Sequence, residues 1–183
     1  MNNPRGSRST RRAVLGGAAA FGLLCVGGLH PRNAHAHSLK VGQPAPPAVM
    51  VTLDGKRIST KDLLGRVVIL TFWATYCEPC REELPRLSAY AAEHERDGLT
   101  VLAFSLDEPD QMDEVRRVAS TLSFPVGLLR EDSVPGYGRI WRMPANFLIG
   151  RDGTLVENGW VLRDSSWTAD RLERIVTPLL RDR

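Results

Sequence analysis

The chain has 183 residues, 43% hydrophobic and 25% charged, values that fit one globular domain and exclude a wholly disordered, collagen-like or many-spanning membrane chain. The formal charge of +3 belongs to one end. Residues 1–36 hold Arg5, Arg8, Arg11, Arg12 and Arg32 and no acid, and the rest of the chain carries 19 basic against 21 acidic residues. Without a basic stripe in the body, nothing points to a nucleic-acid partner.

Residues 1–36 read as a cleaved export signal. Four arginines precede an uncharged, Gly- and Ala-rich stretch from Ala13 to Leu29, and Ala34-His35-Ala36 follows as a small-x-small cleavage site. The stretch is short and weakly apolar for a permanent span, although an uncleaved anchor is the alternative. The Arg11-Arg12 pair after Thr10 gives the leader a twin-arginine character, with Val14 and Gly16 departing from the usual motif. Cys25 is read as lost with the leader. The mature chain, residues 37–183, then keeps two cysteines, Cys77 and Cys80, which can pair in an oxidising compartment.

The body opens on an extended Pro-rich segment, Val41 to Pro47. Two short β runs, Val49 to Leu53 and Arg57 to Ser59, flank Asp54-Gly55, a hairpin signal. Val67 to Trp73 is almost wholly apolar and β-branched, the pattern of a strand buried on both faces. Cys77 to about Glu95 reads as a helix with Leu84, Leu87 and Ala91 on one face, stopped by Asp97-Gly98. Leu99 to Leu106 is a second buried strand. A helical stripe of Met112, Val115, Ala119 and Leu122 follows, with Pro109 suiting its first turn. Val126 to Leu129 is a short strand, and Ser133 to Trp141 a loop or short helix. Ala145 to Ile149 and Thr154 to Leu162 form a hairpin around Gly150-Arg151-Asp152-Gly153. The last helix presents Leu172, Ile175, Val176, Leu179 and Leu180. The pattern is one α/β domain.

The chemistry concentrates in Cys77-Glu78-Pro79-Cys80, which follows a buried strand and opens a helix. A cysteine there faces unpaired backbone N–H groups and the positive end of the helix dipole, which favour the nucleophilic thiolate. Cys77 is therefore the attacking sulfur, and Cys80, at the far end of the motif, the resolving one. Pro79 fits the first turn, where its missing N–H costs nothing. A structural disulfide or half a zinc site is the bland alternative. Zinc needs further ligands, and His94, read as a surface residue, lies about 21 Å along the helix from Cys80 at 1.5 Å per residue. A cysteine pair beside a βα unit is instead a redox signature, and no metal or cofactor is called for.

The segment Phe72-Trp73-Ala74-Thr75-Tyr76-Cys77-Glu78-Pro79-Cys80-Arg81-Glu82-Glu83-Leu84-Pro85 resembles the active-site segment of the thioredoxin-like TlpA/ResA group of exported disulfide reductases. The resemblance runs from about Val41 to Arg181. It implies a thioredoxin-like fold, a central mixed sheet flanked by helices, with an N-terminal β-hairpin and a helix–strand insertion at residues 109–130. Met143-Pro144-Ala145-Asn146-Phe147-Leu148-Ile149 is similar to the family's cis-proline segment. Pro144 is implied to be cis and to face the disulfide, leaving the Met143 backbone to pair with a substrate strand. Tyr76, Glu78 and Pro79 are expected to contact the substrate as well. Thioredoxin's buried strand Asp is matched here by Thr71, which cannot act as a base. Glu83, three residues after Cys80, matches the glutamate of the TlpA/ResA group and shares a helix face with Cys80. It is the candidate proton carrier, with a solvated helix carboxylate as the bland reading.

The function implied is that of a periplasmic thiol–disulfide oxidoreductase acting as a reductant. Its partners are disulfide-containing exported proteins, such as apocytochrome c or a copper-site assembly protein, and a membrane electron donor for re-reduction. Glu78 places a negative charge near both sulfurs, which disfavours thiolate and suits a reductant. Two alternatives come from other classes. A copper carrier would use the thiolate pair for Cu(I), and a peroxiredoxin-like peroxidase would need Thr or Ser where Ala74 stands.

Overall fold

A computed structural model of the chain describes residues 39–181. The leader read from residues 1–36 lies outside them. Among the described residues no helix is long and apolar enough to cross a membrane.

Strands β1 (Val49–Val51) and β2 (Arg57–Ser59) pair antiparallel as the expected hairpin. Gly55, in its turn, takes a φ of 87°, where glycine avoids the penalty a Cβ would bring. Five further strands build the main sheet: β3 (Val67–Trp73), β4 (Leu99–Ser105), β5 (Val126–Leu128), β6 (Ala145–Ile149) and β7 (Leu155–Asn158). Their order is β5-β4-β3-β6-β7. The β3–β4 and β4–β5 pairs are parallel, whereas β3–β6 and β6–β7 are antiparallel.

Strand β3 sits in the middle and is buried at every position, which explains its unbroken apolar run. Period-two alternation divides it between two cores. Val67, Ile69 and Trp73 join Leu84 and Leu87 of the following helix, while Val68, Leu70 and Phe72 join Phe104, Tyr137 and Phe147 on the other face. Phe72 stacks on Phe104 with centroids 5.3 Å apart, and Tyr137 meets Phe147 edge-on. Thr71 and Asn146 are directly paired in the β3–β6 register. By the same alternation both side chains project to the face covered by the helix after β3.

That helix, α1 (Glu78–His94), is capped by Cys77 and carries Pro79 in its first turn. Pro85 stands inside it and is exposed. A 3₁₀ turn, Pro109–Gln111, leads into α2 (Met112–Ala119). The expected stripe is shorter than the sequence suggests, because α2 stops before Leu122. Ser120 Oγ donates to the Arg117 carbonyl and Thr121 Oγ1 to the Val118 carbonyl, both at 2.8 Å. The first satisfies a carbonyl the helix leaves open, the second adds to the Thr121 N–H that the Val118 carbonyl already accepts at 3.0 Å, and Leu122 still packs on the core from the turn beyond. The C-terminal helix also differs in kind. Its α-helical start, Ala169–Arg171, passes into a π-helical stretch, Leu172–Val176, before Thr177–Arg181 resumes as α. Residues 133–141, read as loop or short helix, form turns and loop. His94 is more enclosed than a surface residue, packing on the Tyr90 ring at 4.4 Å with Nδ1 2.9 Å from Asp97 Oδ2.

Candidate active site

The site forms where β3 ends and α1 begins. The Trp73 carbonyl accepts from Leu106 N at 2.8 Å, which ties the end of β3 to β4, and Cys77 N donates to the Ala74 carbonyl at 3.1 Å, closing the connecting turn. Cys77 has extended backbone geometry (φ −88°, ψ 100°), the conformation of a residue capping a helix start. Its sulfur accepts from Cys80 N at 3.3 Å, so one open N–H of α1 points at the reactive atom. Cys77 and Cys80 are joined in a disulfide, with Cα atoms 5.3 Å apart. Cys77 retains 9% exposure and Cys80 1%, so Cys77 is the less enclosed of the two.

Around this pair the structure sorts the sequence candidates. Tyr76, 64% exposed, stands beside Cys77 with its ring in solvent, and Glu78 and Pro79 are exposed at the helix start. The Met143–Pro144 bond is cis. Met143 and Pro144 are half-buried, and Met143 packs against the cluster that holds both cysteines. Glu82 faces water, whereas Glu83 is buried at 2% exposure.

Three residues donate to the Glu83 carboxyl. Asn146 Nδ2 donates to Oε1 at 2.9 Å and to Oε2 at 3.2 Å. Trp167 N donates to Oε2 at 2.9 Å, and Thr71 Oγ1 to Oε1 at 3.5 Å. Burial pushes the Glu83 carboxyl above its ordinary value; the Trp167 and Asn146 bonds and the charge of Arg171 oppose that rise. Desolvation wins because the partners that face the carboxyl directly are neutral dipoles. The loop supplying Trp167 N is itself held down. Arg171 Nη1 donates to the Ser165 and Ser166 carbonyls at 2.6 and 3.0 Å, its guanidinium lies 4.3 Å from the Trp167 ring centroid, and Nη2 pairs with Glu157. Arg86 Nη1 donates to the Trp167 carbonyl at 3.1 Å.

Sequence reading missed two residues. Asp107, just past β4, is buried at 5% exposure and grips the turn before Cys77. Thr75 N donates to both carboxylate oxygens at 3.1 and 3.0 Å, Thr75 Oγ1 to Oδ1 at 2.5 Å, and Ser105 Oγ to Oδ2 at 2.6 Å. An acid directly after a strand reads as a solvated loop residue, and nothing in its spacing from Cys77 marks it. Asn146 had a faint signal, as a lone amide inside an apolar strand next to Pro144. Among the described residues no cluster of three or more His, Cys, Asp or Glu side chains is placed to share a metal ion.

Comparison with known proteins agrees with this geometry. Residues 41–158 match the model of the AhpC/TSA family. The chain is 33% identical over 144 residues to the thiol-disulfide oxidoreductase ResA of Bacillus thuringiensis, covering 79% of this chain and 80% of that protein. Among solved structures it is similar to a thioredoxin-family thiol:disulfide interchange protein from Chlorobium tepidum. That match has a TM-score of 0.66 at 27% identity, over 75% of this chain and 96% of the other. The thioredoxin domain of a thiol-disulfide oxidoreductase from Bacteroides vulgatus aligns with a TM-score of 0.61 at 27% identity, over 78% and 99% of the two chains. The fold is thus thioredoxin-like, the Cys77–Cys80 pair sits at its redox position, and the chain belongs to the AhpC/TSA family as a thiol-disulfide oxidoreductase.

Proposed function

We propose that the protein works outside the cytoplasm, in the periplasm, as a reductant of disulfides in other exported proteins. The observation that carries this reading is the asymmetric cysteine pair: Cys77, 9% exposed and capping α1, and Cys80, 1% exposed, behind it. Reduced Cys77 attacks a target disulfide. One target sulfur leaves with the bond's electron pair, and Cys77 becomes joined to the other. Cys80, having lost its proton, attacks Cys77, and the second target sulfur departs. Two electrons and two protons pass to the target, leaving the enzyme disulfide, which a membrane-bound dithiol donor reduces again.

Glu83 serves as proton acceptor for Cys80. A carboxyl raised by burial is matched to a thiol better than a solvated one, since general acid–base catalysis works best near the operating pH. Met143 and Pro144 present backbone to the target strand, and Tyr76, Glu78 and Pro79 form the exposed rim it meets. The charge of Glu78 beside the sulfurs disfavours thiolate, which favours the reducing direction. Residues 1–36 act as a cleaved twin-arginine-type signal. Cysteines of apocytochrome c awaiting haem and those of a copper-site assembly protein are the target classes that suit such a reductant. A peroxidase would need a hydroxyl three residues before the reactive cysteine, where the buried Ala74 stands.

Trapping tests the reading. Cys80→Ala, expressed in its own host, should accumulate disulfide-linked complexes through Cys77 with exported cysteine proteins, identifiable by mass spectrometry, and Cys77→Ser should accumulate none. Complexes that persist in Cys77→Ser, or a Cys80→Ala protein that captures nothing, would sink it.

A further inference from the structure

Among the described residues, three buried polar side-chain atoms lack a hydrogen-bond partner: Trp73 Nε1, Trp167 Nε1 and Asn146 Oδ1. The third belongs to the residue that bonds Glu83. Asn146 is 1% exposed, so its carbonyl oxygen has left water without finding a donor, an arrangement that ordinarily costs stability. Its amino group is crowded instead. Nδ2 has two N–H bonds and three acceptors within reach: Glu83 Oε1, Glu83 Oε2 and the Ser165 carbonyl, the last at 2.9 Å.

This imbalance suits one protonation state of Glu83. A carboxylate only accepts, and the Asn146 amino group, Trp167 N–H and Thr71 hydroxyl all donate to it. A protonated Glu83 has an O–H of its own that needs an acceptor. Trp167 N–H and the Asn146 amino group cannot accept, and the Thr71 hydroxyl, which can, stands at the 3.5 Å limit of a hydrogen bond and makes only a weak one. Of the other charged groups that act on Glu83, Arg171 is a cation with no acceptor and Asp164 acts only through its charge. On α1 itself, Cys80 is the neighbour one turn back. The buried acceptor without a donor is Asn146 Oδ1, on the far side of the same amide.

We propose that Asn146 is a positioning residue for Glu83, and that its side-chain amide turns end for end as the carboxyl gains or loses a proton. The two ends of the amide have nearly the same shape, so the turn needs little room; its cost, Nδ2 leaving the Ser165 carbonyl for the side where Oδ1 has no partner, falls on the protonated state alone. The Ser165 carbonyl tolerates the loss of Nδ2, because Arg171 Nη1 still donates to it at 2.6 Å. In the resolving step the Cys80 S–H bond breaks and its proton goes to Glu83. The Cys80 thiolate forms its bond to Cys77, and the target sulfur leaves with the electron pair and is protonated from solvent. The turned amide then holds the Glu83 O–H through Oδ1. When Glu83 gives the proton up, the amide returns. Ser165 links this movement to the substrate segment, since its Oγ donates to the Pro144 carbonyl at 3.0 Å while its carbonyl faces Nδ2.

The proposal rests on the reading of Glu83 as proton carrier. The direct test is a nuclear magnetic resonance titration of the reduced wild-type protein, following the Glu83 carboxyl carbon and the Asn146 amino protons together. The amino protons should lose their contacts to Ser165 as Glu83 becomes protonated, and in Glu83→Gln they should keep one set of contacts at every pH. Contacts that stay the same through the Glu83 titration overturn the proposal.

A second test compares two variants of nearly equal shape. Asn146→Thr keeps a rotating hydroxyl that can donate or accept, and Asn146→Val has none. Asn146→Val should slow resolution of a preformed mixed disulfide by about ten- to a hundredfold and displace its pH profile, the scale set by losing one hydrogen bond to a charged group. Asn146→Thr should recover the profile. An unchanged profile in Asn146→Val, or equal loss in both variants, overturns the assignment. Capture of targets by Cys80→Ala needs neither Glu83 nor Asn146, so failure there counts against the reductase reading alone.

Discussion

Replacing Glu83 by Gln in the disulfide-bonded protein should open a stability gap in the variant's favour as pH rises. At acid pH the wild-type carboxyl is protonated and folding places no charge in the core. The glutamine of the variant is the neutral counterpart of that acid: its oxygen accepts from Trp167 N, and its amino group meets Asn146 as the acid O–H does. The variant therefore starts close to wild type. Because the folded carboxyl is raised above its ordinary 4.5 by burial, the native state holds the Glu83 proton over an interval in which the unfolded chain has lost it. Wild-type stability then falls as pH rises from the ordinary value to the folded one, by at most about 1.4 kcal/mol per pH unit for a single proton. The uncharged amide of Glu83→Gln has no such slope.

For a domain of this size that is about 4 °C of melting temperature per pH unit. The assay is thermal unfolding by circular dichroism from about pH 4 to about pH 8, without reductant, so that the disulfide-bonded cysteines do not titrate. Glu157, raised by burial, and Asp164, lowered by the Ser166 N–H, titrate in both proteins and largely cancel in the difference. A gap of constant size across the range would refute the claim that burial governs the Glu83 proton.

Two further outcomes follow from contacts near the cysteines. Asp107→Ala should lower unfolding free energy by about 2–4 kcal/mol in urea titrations, because Thr75 N, Thr75 Oγ1 and Ser105 Oγ lose their buried acceptor, and Asp107→Asn should lose less than half of that; equal stability of all three proteins would mean the turn holds without it. Gly159→Ala drives a methyl into the Asn146 carbonyl oxygen and to 3.0 Å from its backbone nitrogen, forcing β6 and β7 apart at about 1–3 kcal/mol, and it should displace the Glu83 pH profile, whereas a profile identical to wild type would show that the Asn146 backbone does not position the carboxyl.

What could be read from the sequence was whatever repeats or stands at a fixed offset along the chain. Strand β3 announced itself because both its faces are covered, and α1 because a cysteine cap, a first-turn proline and a spaced apolar face coincide. The reactive pair came with them, since Cys77 and Cys80 are local partners. The π-helical stretch at Leu172–Val176 left no trace, because Leu172, Ile175 and Val176 fit an α-helical stripe equally well. The end of α2 was also hidden, since two hydroxyls rather than a glycine or proline terminate it. Asp107 was out of reach, and Asn146 only faintly marked, for a different reason. The bonds that give them meaning run to Thr75 and Glu83, 32 and 63 residues away, and only the β3–β4 and β3–β6 pairings bring those partners together.

On the proposed role of Glu83, the strand order also explains how a thioredoxin-like site could work without an acid on β3. Thr71 projects from the central strand towards α1, and Glu83 Oε1 lies 3.5 Å from its hydroxyl. The carboxyl therefore occupies the surroundings a strand acid would have had, but it arrives from the helix that carries Cys80. Two consequences follow from that change of origin. A helix-borne carboxyl one turn from Cys80 is held in a fixed relation to the resolving sulfur by α1 itself, so sliding of the sheet cannot separate them. Its pH response is set from the other side, by Asn146 on β6 and Trp167 in the loop before the C-terminal helix. In the proposed mechanism the first element fixes where the proton is delivered. The others fix how readily it is held, so substitutions in β6 or at Trp167 can retune the proton without moving the cysteines.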